Sequence, residues 1–513
     1  MKLFLRRNAP LFYALAAMLV LYIPWLNRGF NNYEFPFLFA GRALAFDADA
    51  ALIDIYWPNM ANPLGYSFIL SLIYRSFGFS DSFWISRFPA MVGVALIIIS
   101  GWLITKSSWE HKRHLFYCWC TLLIFQPMIF VFSTSGTTDL LPVGILMLSI
   151  SFAMSSKRNF LVVRLFVGLL FGFAVLVKYN TAYFGLALVA TSIYNSWSLD
   201  KSFYQKIRAL VPFIIVPGLV LCSYLFWCYE RYGILISSRL EFSRPNYFDI
   251  SNILKNFVKY LSFLGLLLAA LPLTVFLGES NGARPKVSRS LGLLSFGVFL
   301  VGWYYSGVSA GELDFGRFID PIHPLIRRVL ESIGAVFGFF ALLVMFRSTK
   351  FGYKIMNVLL FGIVPYLILI SASYPSQRYL TFVLPGSLLI LINEIQSLTK
   401  RTQTVIIGLS TTVFALVSLL GMSYLTSQGN ASEEMAVWVE DNNLIGQTSA
   451  GAIGPHAGQH FWGVEKTVVR YEIIAVAPSA EAQVKERILH REPMKVLGRV
   501  TRVYLLREIP AAP

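Results

Sequence analysis

The sequence predicts an α-helical polytopic membrane protein of about thirteen transmembrane helices, with a long first extracytoplasmic loop carrying juxtamembrane helices and a small C-terminal extracytoplasmic α+β domain. Three observations lead there. Apolar residues make up 56% of the 513 positions and charged residues only 14%, where a water-soluble domain has about a quarter charged; mean hydropathy is +0.62. Apolar runs long enough to cross a bilayer recur as far as residue 425. The segments between them alternate between basic loops and longer, motif-bearing ones, as the positive-inside rule requires.

The net charge of +16 would suggest nucleic acid in a soluble chain. Here many of the basic residues fall in short loops between spans, which argues against nucleic acid and makes anionic lipid headgroups the natural partner. Cys118, Cys120, Cys222 and Cys228 all lie in apolar segments. They show neither a disulfide framework nor zinc spacing and read as small core hydrophobes. Met1 to Trp25 carries Lys2, Arg6 and Arg7 ahead of an apolar run and reads as an uncleaved signal anchor.

Candidate spans lie near 9–26, 64–79, 88–105, 115–132, 139–155, 160–177, 181–197, 210–229, 256–277, 291–306, 326–346, 355–371, 380–396 and 403–425. The basic loops fix their parity. The N-terminus, "KSSWEHKRH" (Lys106 to His114), Lys157–Arg158, Asp200 to Arg208, Ala283 to Arg289, Arg347 to Lys354 and Lys400–Arg401 all fall inside only if 64–79 does not cross. That segment is short, follows Pro63 and carries Arg75, so it reads as an interfacial helix. Residues 27–87 then form one extracytoplasmic loop, and 133–138, 230–255, 307–325 and 372–379 face the same side.

Two units follow: a membrane domain over 1–425, and a small soluble domain over 426–513. In the latter, "ASEEMAVWVEDNN" predicts an amphipathic helix, and "KTVVRYEIIAV" and "RVTRVYLL" predict strands. The N-terminus is expected in the cytoplasm and the C-terminus outside. Scarce cysteine and compact loops point to a bacterial inner membrane.

Several ionisable residues gather on the outer face. Glu34, in "NNYEFPF" at the mouth of a span, sits where partial desolvation would raise its pKa and suit it to general-base work; an interfacial structural acid is the alternative. Asp54 precedes a turn-rich stretch of the same loop. Asp139 opens a span in "STSGTTDLLPVG", either as a helix N-cap or as a functional acid at the rim. Lys178 in "LVKYN" is either a snorkelling lysine or a counter-charge for phosphate. Arg378 beside Tyr379, and Arg317 near Asp320 and His323, add basic groups able to hold phosphate oxygens.

In this order, the motifs resemble the GT-C fold membrane glycosyltransferases, especially the protein O-mannosyltransferase and lipid A aminoarabinose transferase branch. "YEFPFLFAGRAL" matches the acidic motif of the first outer loop from Glu34 to Arg42 and Leu44. "NPLGYSFILSLIYRSFG" is similar to the juxtamembrane helix that follows, and "ISRFPAMVG" to the start of the next span. Asp139 matches the second acid, and "LVKYN" and "QRYLTFVLPG" are similar to the lysine-bearing and arginine–tyrosine segments. The resemblance runs over about 10–400. It departs where Tyr33 and Asn62 stand in place of the family's aspartate and histidine. Either Glu34 is the displaced base, or it does another job and an acid such as Asp54 substitutes.

The resemblance implies an inverting transfer of a sugar from a polyprenyl-phosphate donor to an acceptor hydroxyl of a lipid, glycan or protein. Glu34 and Asp139 would be the catalytic acids, and Lys178, Arg378, Tyr379 and Arg317 would meet the donor phosphate. No obligatory cofactor or metal is implied. A transporter would show repeat symmetry and midplane polar groups, whereas the polar groups here cluster on one face. A lipid-linked glycan polymerase or ligase would share the basic outer face without needing an acid in the first loop.

Overall fold

The computed structural model describes residues 2–29, 34–46, 62–78, 83–108, 113–155, 161–185, 187–189, 203–233, 235, 248–277, 289–306, 324–348, 354–373, 376–449, 451 and 469–509. These are mostly helical, with one small C-terminal sheet. In chain order the helices are α1 (Lys2–Tyr22), α2 (Phe35–Ala45), α3 (Gly65–Phe77), α4 (Phe83–Ser108), α5 (Arg113–Phe125), α6 (Pro127–Ser133), α7 (Leu140–Ser155) and α8 (Leu161–Val177). There follow α9 (Phe203–Tyr232), α10 (Ile250–Leu268), α11 (Leu271–Leu277), α12 (Arg289–Ser306), α13 (Pro324–Ser348), α14 (Lys354–Ser371), α15 (Leu384–Ile395) and α16 (Lys400–Asp441).

Among the described residues five helices, α1, α4, α9, α13 and α16, contain segments long and apolar enough to cross a membrane, and α5 with α6 makes a sixth if the pair is one bent span. Shorter apolar helices, α7, α8, α12, α14 and α15, pack among them. The chain is a multi-pass membrane protein.

Several predicted spans are not single straight helices. The segment 115–132 bends by 64° between α5 and α6. Pro127 has no N–H to continue the ladder, Gln126 is extended (φ −64°, ψ 124°), and its side chain accepts from Ile129 N to start α6 afresh. The segment 256–277 is split between α10 and α11, with Ala269 in positive φ (51°). The segment 380–396 begins as a 3₁₀ helix, Gln377–Phe382, before α15. The last helix does not stop at 425: α16 runs unbroken for 42 residues, so the amphipathic stretch from Ala431 forms its final turns.

Glycines set the closest helix seams, as small residues do in membranes, where apolar burial gives helices little reason to associate. A Cβ at Gly93 of α4 would lie 2.5 Å from the Leu140 carbonyl, and one at Gly144 of α7 would lie 2.3 Å from the Gly93 carbonyl. Gly265 of α10 faces Gly334 of α13 at 1.8 Å by the same measure. Gly29, just past α1, meets Gly429 of α16 backbone to backbone.

α3 has 13 residues, about 20 Å at 1.5 Å per residue, too short to cross. Tyr66, Leu70 and Tyr74 bury one face, while Phe68, Leu72 and Phe77 remain exposed. Ser67 Oγ donates to Phe37 O of α2 at 3.1 Å. Arg75 donates to the Leu44 and Ala45 carbonyls, neutralising the last turn of α2.

The tail forms a four-stranded sheet of β1 (Thr448–Ser449), β2 (Tyr471–Val476), β3 (Ile488–Val496) and β4 (Arg499–Glu508) in the order β1-β2-β4-β3. The β1–β2 pair is parallel and the others antiparallel. Two of these strands were legible. β3, which carries Pro493, was not; it is an edge strand, where proline is tolerated. α16 docks on β3 through Trp438, stacked on His490 with ring centroids 4.3 Å apart.

The α10–α13 seam gives a test. Gly265→Val should force these helices apart and lower stability by about 1–3 kcal/mol, read as a lower thermal midpoint of the detergent-purified protein. Gly297→Val, where a Cβ meets nothing within 4 Å, should leave the midpoint in place.

Candidate active site

Five charged side chains at one end of the bundle are almost fully buried: Arg28, Glu34, Arg87, Asp139 and Lys178 are each at most 5% exposed. They form two adjoining groups. Glu34 stands at the N-cap position of α2 but its side chain makes no cap hydrogen bond. It turns instead to Arg87, in the first turns of α4, which donates Nε to Oε1 at 2.8 Å and Nη2 to Oε2 at 3.0 Å. The rest of the Arg87 guanidinium donates to three carbonyls, Leu26 at 2.6 Å, Arg28 at 2.7 Å and Gly29 at 3.0 Å. Its five N–H donors are all satisfied.

Arg28 completes this group. It lies 3.8 Å from Glu34 Oε2 and donates to Thr134 O and Ser135 Oγ at 3.0 and 2.9 Å. Gly136 N donates to Glu34 Oε1 at 2.6 Å. The segment that follows α1, the start of α2, α4 and the 133–138 loop therefore meet on one carboxylate.

The expectation of a raised Glu34 pKa is corrected here. Burial alone pushes the carboxyl up, but the Arg87 and Arg28 charges and the hydrogen bonds from Arg87 and Gly136 outweigh it, and the group lies below the usual carboxylate range. A carboxylate so held is a weak proton acceptor.

The second group is Asp139 with Lys178. Lys178 Nζ donates to Asp139 Oδ1 at 2.5 Å. Asp139 Oδ2 is buried and has no hydrogen-bond partner among the described residues. Asp139 is therefore no helix cap. Lys178, 1% exposed, does not snorkel; its ammonium lies 5.0 Å from the Tyr379 ring centroid and 5.7 Å from that of Phe382, within cation–π range. The 3₁₀ helix that carries these rings is held by Tyr366 Oη, which donates to Tyr379 O at 3.1 Å, and by Tyr260 Oη, which accepts from Ser376 N at 3.1 Å. Arg378 is half-buried on the same turn.

The structure thus joins Asp139, Lys178 and Tyr379 directly, and links Glu34 to them through the 133–138 loop. Asp54 and Arg317 lie outside the described residues. Arg28 and Arg87 were missed by sequence reasoning. The available signal was an arginine inside the predicted span-opening stretch "ISRFPAMVG", since an ionisable group at membrane depth has a partner. Among the described residues no group of three or more His, Cys, Asp or Glu could hold a metal ion.

A family model described as dolichyl-phosphate-mannose-protein mannosyltransferase matches residues 61–227, the stretch containing Arg87, Asp139 and Lys178. The chain resembles the GT-C membrane glycosyltransferases. Among solved structures, ArnT from Cupriavidus metallidurans in the apo state aligns over 98% of both chains at 12% identity, with a TM-score of 0.47. The same protein bound to undecaprenyl phosphate aligns over 99% of both at 14% identity, with a TM-score of 0.42. At these levels no residue role is transferred. A search of curated proteins finds no match.

Glu34→Gln should leave Arg87 and Arg28 buried without a counter-charge and lower stability by about 3–5 kcal/mol. Because the folded-state pKa of Glu34 is depressed, its contribution is fully present above about pH 5 and is lost as pH falls through the folded value. Thermal midpoints measured against pH should show a wild-type advantage over Glu34→Gln at neutral pH that disappears in acid. A constant gap at every pH would contradict the assignment.

Proposed function

We propose that the protein transfers a sugar from a polyprenyl-phosphate donor to an acceptor hydroxyl on the extracytoplasmic face, with inversion at the anomeric carbon. The observation that carries this reading is the bare Asp139 Oδ2, buried beside the Lys178 ammonium. Both residues lie within the segment matched by a family described as using dolichyl-phosphate mannose. Asp139, whose Oδ2 meets no donor among the described residues, is better suited than Glu34 to accept a proton.

In this reading the acceptor oxygen forms a bond to the donor's anomeric carbon as its proton passes to Asp139. The bond from that carbon to the phosphate oxygen breaks on the opposite side, and its electron pair leaves with the polyprenyl phosphate. Lys178, Arg378 and Tyr379 face the growing charge on the phosphate, with Arg317 as a further candidate from the outer loops. Glu34 is a positioning residue: it holds the 133–138 loop, and through it the start of α7, against α2 and α4. Phosphate is a good leaving group, so the residues need supply only charge and orientation. The donor, sugar and acceptor classes, and the outward orientation of this face, are parts of the same proposal.

Mass spectrometry of cell-surface glycans, lipids and glycoproteins with and without the protein should show loss of one sugar residue. Asp139→Asn, which leaves the Lys178 ammonium buried without its counter-charge, should lower the thermal midpoint, and its folded fraction should fail to restore that residue. Restoration by Asp139→Asn would remove Asp139 as the base, and accumulation of an unmodified substrate on the cytoplasmic side would replace transfer by transport.

A further inference from the structure

A cavity of about 1070 Å³ lies between α10, α13, α16 and the C-terminal sheet, at the upper limit of the roughly 300–1,000 Å³ of small-molecule sites. It is two-natured. Leu330, Val413, Val417 and Leu420 form an apolar wall on α13 and α16, between 36% and 51% exposed. The opposite side is the β3–β4 hairpin, which brings Arg499 and Arg502 to the lining. Among the described residues neither has an ion-pair partner, whereas Arg327, also lining it, is paired with Glu331 at 3.0 Å.

Two further observations point to an occupant. Gln377, 2% exposed, lines the cavity, and its Nε2 has no hydrogen-bond partner among the described residues. A buried amide donor left without an acceptor is destabilising. The hairpin tip is Leu497–Gly498, both in positive φ (49° and 79°). Asparagine or glycine suits the first of these positions, yet a leucine stands there, 72% exposed. A strained, exposed apolar tip next to two arginines fits contact with a membrane surface better than contact with water.

We propose that this cavity binds a membrane lipid whose phosphate headgroup carries net negative charge, at a site whose lining includes neither Asp139 nor Lys178. Its acyl chains lie on the α13–α16 wall. Its phosphate meets Arg499 and Arg502, and Gln377 donates to a headgroup oxygen. The lipid joins the sheet to the helices.

Native mass spectrometry of the full chain, released from nanodiscs of phosphatidylglycerol and phosphatidylcholine with matched acyl chains, tests this. Phosphatidylglycerol should be retained preferentially, and Arg499→Gln with Arg502→Gln should weaken that retention by roughly 30-fold. Val417→Trp, which fills the acyl compartment and leaves the charges alone, should weaken it as well. Equal retention of the two lipids, or retention unchanged in both variants, would overturn the proposal. So would displacement by polyprenyl phosphate, which would assign the cavity to the donor, or equal thermal stabilisation by inorganic phosphate, which would leave no role for the chains. The readout needs no sugar transfer, so it stands or falls independently of the proposed activity.

Discussion

The buried pairing of Arg87 with Glu34 is the interaction on which this end of the bundle depends. A guanidinium with no solvent exposure is tolerable only if its charge and all its donors are met. Meeting them requires the Glu34 carboxylate and the carbonyls of residues 26, 28 and 29 at once. The chain leaving the first span cannot shift without uncovering that charge. Gly29, one of those carbonyls, also lies against Gly429, so the last long helix is fitted to the same knot. A sheet docked on the end of that helix thus shares a frame with an ion pair formed by the first hundred residues.

This constraint divides the labour among the acids. Glu34 has both oxygens committed, to Arg87 and to the Gly136 amide. Asp139 has one oxygen committed and one bare. Two carboxylates on one face therefore differ as environment makes them differ: one is held low and tied, the other is charge-compensated with a lone pair to spare. The sugar transfer proposed above uses that contrast, with the tied acid placing the loop that presents the free one.

Much of the fold was legible because hydropathy and loop charge report directly on the bilayer. The helical character, the short α3 and the change of style in the tail followed from composition. What was not legible came from contacts distant in sequence. Nothing in the period of "NNYEFPF" reveals a partner 53 residues away, and so desolvation, which the local sequence does suggest, was given the wrong sign of outcome for Glu34. The bend at Pro127 was written in the sequence, but an apolar run on both sides masked it. Asp139 and Lys178 were each singled out separately; that they pair is a fact of packing between α7 and the end of α8. The edge strand β3 carries Pro493, whose tolerance depends on a sheet order that no single strand encodes.

The central claim is that the Glu34 carboxylate acts through position and takes no proton from the acceptor. Its most direct test is single-turnover release of polyprenyl phosphate by Glu34→Gln in liposomes, expressed per folded molecule by scoring the folded fraction in the same sample. Glutamine keeps an oxygen for Arg87 and Gly136, so the folded fraction should turn over within about ten-fold of wild type, less than the 10²–10⁴-fold that a general base contributes. A fully folded Glu34→Gln protein with no turnover would contradict the account and return the proton to Glu34.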